Sequence, residues 1–151
     1  MARGASAARR MELNRSRIDQ TIVAIGAGLN QWAQETCELI SRNAPDSPYM
    51  PFPLHEGLPN QGGALIYFDS KKIYSVHGRG RGEPRVPRAA TIRRTRGLVM
   101  IIGWGFPARF NEYGTAKMDA TPFVGPGIYE MLPRIPEIAG PIIREKLAAM
   151  K

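Results

Sequence analysis

Few residues in this chain have the types and spacing that catalysis or metal binding requires. His55 and Glu56 are adjacent and could together move a proton, but no further acid, base or nucleophile stands at a recognisable spacing from them. Cys37 is the only cysteine and the chain has two histidines, which are too few ligands for a typical metal site. The sequence therefore predicts a protein that is not an enzyme and has no cofactor or metal, with His55 and Glu56 as loop residues.

Three glycines at alternate positions have the spacing of a loop that cradles phosphate groups. Gly78, Gly80 and Gly82 could bring backbone N–H groups close to a nucleotide, but such a loop needs a helix to begin directly behind it. Pro84 and Pro87 follow instead, and proline disfavours a helix there. We therefore do not expect nucleotide binding at this segment.

Positive charge is concentrated in two stretches. The chain has 21 Lys and Arg against 13 Asp and Glu, a formal net charge of +8, which indicates a polyanion or acidic proteins as partners. Residues 1–17 carry five arginines against one acid, and we expect them to stay unburied as a mobile basic arm. Residues 78–96 predict an arginine-rich hairpin arm, in which the expected interface residues are Arg79, Arg81, Arg85 and Arg88.

Apolar spacing predicts one long helix followed by a small sheet. From residue 18 onward apolar residues recur at steps of three and four, which is typical of an amphipathic helix, and Pro45 ends it. Alternation predicts a hairpin of strands 64–69 and 72–77 around a short polar turn. The continuous apolar run 97–104 predicts the central, most buried strand, and 108–113 is expected to return as its partner.

The rest of the chain is rich in proline and glycine. Residues 43–63 have no periodicity and predict a long loop. The C-terminal region predicts short kinked helical segments, the firmest at 141–150 with Pro141 in its first turn. We expect the apolar residues of these segments to face the sheet, namely Ile128, Leu132, Ile135, Ile138, Ile142 and Leu147. The predicted fold is α+β: residues 18–151 form one domain in which a small antiparallel sheet packs against a long N-terminal helix and a kinked C-terminal helix.

A membrane or export role is not expected. The basic start followed by the apolar residues 21–29 has some features of an export signal, but the helical pattern continues well past this run. The run is also far shorter than the ~20 apolar residues that a transmembrane helix needs.

The segment "NEYGTAKMDATPFVGP", residues 111–126, is the most informative in the chain. Glu112 and Tyr113 are expected to finish a strand, and Gly114 permits the turn that leaves the sheet. Pro122 keeps the preceding residue extended, and Phe123 supplies a large aromatic anchor for the core. Pro126 is expected to open the final helix. We interpret the Glu112 carboxylate as a structural group that caps backbone donors or pairs with an arginine.

These residues resemble the tail-completion proteins of tailed bacteriophages, also called head–tail joining or neck proteins. In that family a stretch similar to "A..VEYGT..M.A.PF..PA" precedes the last helix. Asn111 departs from it, because an apolar residue is usual there, as do Asp119, Gly125 and Gly127. The positions that match are Ala108, Glu112, Tyr113, Gly114, Thr115, Met118, Ala120, Pro122, Phe123 and Pro126.

The resemblance implies a structural virion protein with an α+β fold. Copies would form a ring, usually six-fold, in the neck between the connector below the portal and the tail terminator or tail tube, and genomic DNA would pass through its lumen without sequence recognition. The implied location is the virion, with the host cytoplasm during assembly. A tail terminator or another minor tail protein is the nearest alternative, and a stand-alone basic DNA-binding module is a more distant one.

Overall fold

The computed structural model describes residues 2–44, 62–69, 71–77, 97–104 and 108–150. The architecture is α+β, as predicted: a long N-terminal helix, a three-stranded antiparallel sheet and a C-terminal helical region. The elements in chain order are α1 (Ala2–Asn43), β1 (Gly62–Phe68), β2 (Lys71–His77), β3 (Leu98–Trp104), α2 (Ala108–Tyr113), α3 (Val124–Met131), a 3-10 turn (Leu132–Arg134) and α4 (Ile135–Ala148).

Helix α1 is longer than the sequence pattern predicted. It spans 42 residues, or about 63 Å, and the stretch expected to be a mobile arm forms its first part. The predicted helix start at residue 18 was therefore wrong, because it followed apolar spacing alone, whereas the mobility expected of residues 1–17 stays a prediction. The stretch is rich in alanine and arginine, which favour a helix whether or not they are buried. The side chains of residues 9–20 are exposed, and the helix ends before Pro45 as expected.

The sheet has the order β2-β1-β3, so β1 and not β3 is the central strand. Ala64, Leu65 and Ile66 in β1 are completely buried, whereas every residue of β3 is only partly buried. The apolar run of β3 predicted a strand correctly but could not say which strands pair on either side of it. The β1–β2 hairpin agrees with the prediction, with an irregularity in its register between Ile66 and Tyr67.

Residues 108–113 form helix α2, which corrects the expected return strand. Ala108 and Asn111 are its buried residues, and their separation of three is the spacing of one helix face. In a strand, burial would have alternated with a period of two. Six residues are too few to distinguish the two periods without knowing which side chains are buried.

The core lies between α1, the sheet and the C-terminal helices. Trp32 packs with Ala33, Ala64 and Met131, and the Trp32 indole N–H donates a 2.7 Å hydrogen bond to the Met131 carbonyl. A second cluster unites residues from α1, α2 and the start of α3, namely Ile40, Ala108 and Phe123. Helix α1 is therefore the element against which both the sheet and the C-terminal region pack.

The C-terminal helices differ from the prediction in two ways. Helix α4 begins at Ile135 and runs through Pro141, whose exposed ring causes no break, so the expected start at Pro141 was wrong. Leu132 and Leu147 are 43% and 39% exposed and do not face the sheet. Helix α4 instead lies close to α1, where a Cβ added at Gly28 would stand 2.9 Å from the Ala139 carbonyl oxygen.

Candidate functional site

The candidate site is the segment from Ala108 to Gly127, which we call the cap segment. It contains α2, a tight turn and the first residues of α3. Ala108 and Phe123, at its two ends, are 3% and 4% exposed and pack against Ile40 of α1. The segment is thus fixed to the long helix at both ends, and Phe123 is the aromatic anchor that its composition indicated.

Glu112 forms the cap of helix α3. Its carboxylate accepts hydrogen bonds from the backbone N–H groups of Phe123 and Val124, both at 2.8 Å, and of Gly125, at 2.9 Å. These groups belong to the first turn of a helix and have no acceptor within it. The N-cap residue Phe123 provides no side-chain cap of its own. Of the two structural roles considered for Glu112, capping is therefore the one that the structure has.

The three bonds also set the acidity of Glu112. Burial raises the pKa of the Glu112 carboxyl, but the backbone N–H groups of Gly125, Val124 and Phe123 favour the charged form and together hold this pKa below its ordinary value of 4.5. Glu112 is therefore an ionised acceptor at neutral pH, with its oxygens occupied by the protein's own backbone. This carboxylate therefore has a structural role, as the cap of helix α3.

The pKa of Glu112 predicts a pH-dependent stability. Because the folded pKa lies below the unfolded one, the stabilisation is fully present above about pH 4.5 and is lost as the pH falls through the folded pKa. We expect Glu112→Gln to lower the free energy of unfolding by about 1–2 kcal/mol at pH 7. Denaturation curves at pH 7 and pH 3 should show the two proteins converging at the lower pH. An unchanged difference at both values would contradict this account.

Gly114 allows the turn that follows α2. Its φ of 72° is in the left-handed region, and an added Cβ would stand 2.8 Å from the Met118 carbonyl oxygen. Thr115 and Met118 exchange backbone hydrogen bonds across this turn, and Thr121 N–H donates to the Asn111 carbonyl at 2.7 Å. The turn was predicted from Gly114, but it leaves a helix and not a strand.

Gly97 offers a matched control for Gly114. Its φ is also positive, at 97°, but among the described residues no atom apart from its own and its chain neighbours' lies within 4 Å of the position that a Cβ would take. Gly97→Ala is therefore expected to cost only the conformational strain of a left-handed residue, about 1–2 kcal/mol. Gly114→Ala adds a clash with backbone atoms and should cost about 3 kcal/mol. Chemical denaturation of both variants tests the comparison. Equal losses in the free energy of unfolding would show that the Gly114 turn accommodates the added Cβ at no extra cost.

The outer surface of this region carries exposed aromatic side chains. Tyr113 directly follows the capping residue and is 77% exposed, and Tyr129 on α3 is 76% exposed. Thr115, Pro122 and Pro126 are also exposed. Tyrosine is enriched in protein–protein interfaces, so these residues are available for contact with a neighbouring protein. Tyr129 was not among the predicted interface residues, although on a helix it lies about 100° around from the partly buried Ile128.

Two buried donors in this region have no acceptor among the described residues. They are the Asn111 side-chain amide nitrogen and the Trp104 indole nitrogen. Asn111 is 3% exposed, and an unpaired buried donor costs free energy. The apolar residue that is usual at this position in the neck proteins would not need an acceptor. Asn111 therefore adds a buried, unpaired donor at a position where an apolar side chain would have none.

The predicted interface arginines Arg79, Arg81, Arg85 and Arg88 lie outside the described residues, as do His55, Glu56 and the three glycines at 78, 80 and 82. The strands on either side of the arginine stretch are described and are not neighbours, since both pair with β1. His77 pairs with Gly63 and Leu98 pairs with Phe68, so the two strand ends that flank the stretch lie at opposite ends of the sheet.

The described residues include the one cysteine of the chain, Cys37. Cys37 is 2% exposed, and burial, with a contribution from the charge of Glu38, raises the pKa of its thiol to about 12, which disfavours the reactive thiolate. The described residues contain no group of three or more His, Cys, Asp or Glu placed to hold a metal ion. They also contain no helix with the length and hydropathy to cross a membrane.

Comparison with known protein families, with curated proteins and with solved structures finds no match to this chain.

Proposed function

We propose that this chain is a structural subunit of the neck of a tailed bacteriophage, a tail-completion protein that joins the DNA-filled head to the tail. Copies of the chain form a ring, six-fold as the resemblance implies. One side of the ring contacts the connector below the portal, and the other contacts the tail terminator or tail tube. Genomic DNA passes through the lumen without being read.

The observation that carries this proposal is the physical coherence of the cap segment. Three of the positions that match the neck proteins act together in one structural unit. Phe123 anchors the segment, Glu112 caps the helix that follows, and Gly114 permits the turn between them. A chance similarity in composition would not be expected to fall on residues that depend on one another in this way.

The order of elements supports the same proposal. The elements follow one another in an order that looks similar to that of the neck proteins: a long first helix, strands, the cap segment and the final helices. This agreement concerns the fold, and unrelated functions can share a fold. It adds weight only because the motif occupies the same place in the order, directly before the last helices.

The surface of the subunit is suited to neighbours on several sides. Side chains 9–20 of α1 are exposed, and the cap segment and α3 present Tyr113 and Tyr129. The net charge of +8 favours acidic protein surfaces or nucleic acid nearby. A subunit that is completed by neighbouring chains in an assembly would have these properties.

Deleting the gene for this chain in the phage that encodes it tests the proposal. We expect DNA-filled heads and finished tails to accumulate separately in electron micrographs, and a copy of the gene supplied from a plasmid should restore joined particles. Tails of abnormal length would indicate a tail terminator instead. Normally joined particles would contradict the proposal, as would a gene whose neighbours encode no portal, capsid or tail-tube protein.

A further inference from the structure

The apolar stripe of α1 continues beyond the part of the helix that is packed. Met11, Ile18, Ile25 and Trp32 follow at intervals of seven, which keeps them near one face of the helix. Trp32 is 1% exposed and Ile25 is half-buried, but Ile18 is 59% and Met11 is 71% exposed. The apolar face of α1 that packs into the core around Trp32 is thus exposed to solvent near the N-terminus of the helix.

A bare stripe of this kind needs a partner. Most of the stability of helices in proteins comes from packing of an apolar face. Among the described residues, Met150 lines an open depression beside Arg15 and Asp19, and the side chains of residues 9–20 otherwise stay exposed. Helix geometry places Arg10 on one side of the stripe and Arg15 on the other. A complementary surface would therefore be apolar in its centre and acidic at its edges.

The outer face of α3 and the turn after it has this character. Pro126, Tyr129 and Pro133 are exposed at steps of three and four, and they form an apolar patch that none of the described residues covers. Glu130 and Glu137 are exposed beside it. Arg134 lies 3.7 Å from Glu137 in an exposed ion pair and offsets its charge. The charge of Glu130 remains, so the face has a net negative charge. We call this surface the Tyr129 face.

The two surfaces cannot meet within one chain. Met11 lies 21 residues before Trp32 on a continuous helix, which separates them by about 30 Å. Trp32 is hydrogen-bonded to Met131, two residues from Tyr129. A contact between the Met11 stripe and the Tyr129 face therefore requires two copies.

We propose that the exposed stripe of Met11 and Ile18 in one copy docks on the Tyr129 face of a second copy, with Arg10 and Arg15 facing Glu130 and Glu137. An amphipathic helix that binds through residues at steps of three, four and seven is a common recognition mode. Because the two surfaces differ, each contact leaves one stripe and one face free. These either pair reciprocally in a two-fold dimer or repeat head-to-tail into a ring or an open chain. Closure into a ring rests on the proposed function, whereas the contact itself does not.

Duplex DNA is a less suitable occupant of this stripe. Phosphate groups attract the arginines, but they offer nothing to Met11 and Ile18. Glu12 and Asp19 lie in the same exposed segment and would repel phosphates. The combination of apolar and mixed charged residues favours a protein surface.

Disulfide trapping between differently tagged chains tests the contact. We expect mild oxidation of a mixture of Met11→Cys and Tyr129→Cys to give a mixed dimer at about 0.5 mM, where contacts with Kd near 1 mM are populated. Leu13→Cys is the matched control, because Leu13 is 57% exposed but lies about 200° further around the same helix. It should give roughly ten-fold less mixed dimer. The native Cys37 is buried and should not contribute.

Charge exchange supplies the second measurement. Arg10→Glu with Arg15→Glu, added to the Met11→Cys chain, should abolish the mixed dimer, and Glu130→Arg with Glu137→Arg in the partner should restore it. All these positions are exposed, so the fold should persist, as circular dichroism can verify.

Several outcomes would overturn the inference. These are equal trapping of Leu13→Cys, a dominant Met11-to-Met11 dimer, no mixed dimer at all, or salt-dependent binding of duplex DNA that replaces the mixed dimer. Trapping as expected in a chain that is missing from purified virions would support the contact and contradict the proposed neck function, so the two failures can be distinguished.

Discussion

Replacing Trp32 or Phe123 with alanine is expected to lower the free energy of unfolding by about 3–5 kcal/mol in each case. Both side chains are almost completely buried, and each belongs to a different core cluster. Trp32→Ala removes a large ring between α1 and the C-terminal helices and also leaves the Met131 carbonyl without its 2.7 Å hydrogen bond. Phe123→Ala empties the place where the cap segment meets Ile40. Since small domains have only about 5–15 kcal/mol in total, the double variant should be largely unfolded.

Urea denaturation of the single variants measures these losses, and the exposed tyrosines provide the control. Tyr113→Ala and Tyr129→Ala remove aromatic rings of similar size that are more than three-quarters exposed, so changes within about 0.5 kcal/mol are expected. Trp32→Phe keeps most of the apolar contact and separates the hydrogen bond from the packing. If Phe123→Ala proved neutral, Phe123 would belong to an interface and the description of the cap segment would fail.

The parts of the fold that could be predicted from the sequence are those in which the local pattern decides the structure. Apolar steps of three and four predicted the packed half of α1, and alternation around a polar turn predicted the β1–β2 hairpin. Phe123 was identified as an anchor because burial of a large aromatic side chain is worth roughly 1.5–3 kcal/mol. In each case the information lies within a few residues along the chain.

The parts that were mistaken depend on partners distant in sequence. The apolar run of β3 is equally compatible with a central strand and an edge strand, and only the pairing of β1 with both neighbours decides the position. A helix and a short strand at residues 108–113 would bury different side chains. The side chain of Ala108 is buried because Ile40 and Phe123 pack against it, and both lie far from it along the chain. The bonds of Glu112 reach across 11 to 13 residues, so the sequence could indicate a structural carboxylate but could not identify its three donors.

The first half of α1 was mistaken for a different reason. The prediction took burial as the criterion for a helix and therefore placed the start of the element at residue 18. Helix propensity continues to act where nothing is buried, and Met11 stands seven residues before Ile18 on the same face. The overlooked signal was the repetition of the stripe, and it is the one that leads to the proposed contact between copies.

Replacing Arg79, Arg81, Arg85 and Arg88 with serine is expected to leave the isolated fold intact but to leave filled heads and finished tails unjoined. These residues lie outside the described part of the chain, so the expectation rests on their charge and on the proposed neck function. Arginines facing the lumen would hold the genome by many charge-assisted contacts and hinder its exit. A conduit works better with few such contacts, so we expect these side chains to pair with carboxylates on neighbouring neck or tail subunits.

The same segment contains its own control, because Arg93, Arg94 and Arg96 precede β3 and are expected to lead back into the sheet. Serine at these three positions should leave joining nearly normal. Denaturation of the purified four-arginine variant should differ from the parent by at most about 1 kcal/mol, since solvated charges contribute little to stability. Counting joined and unjoined particles by electron microscopy then measures the effect on assembly. Particles of the four-arginine variant that join normally but eject DNA at an altered rate would instead place these arginines in the channel, against the genome.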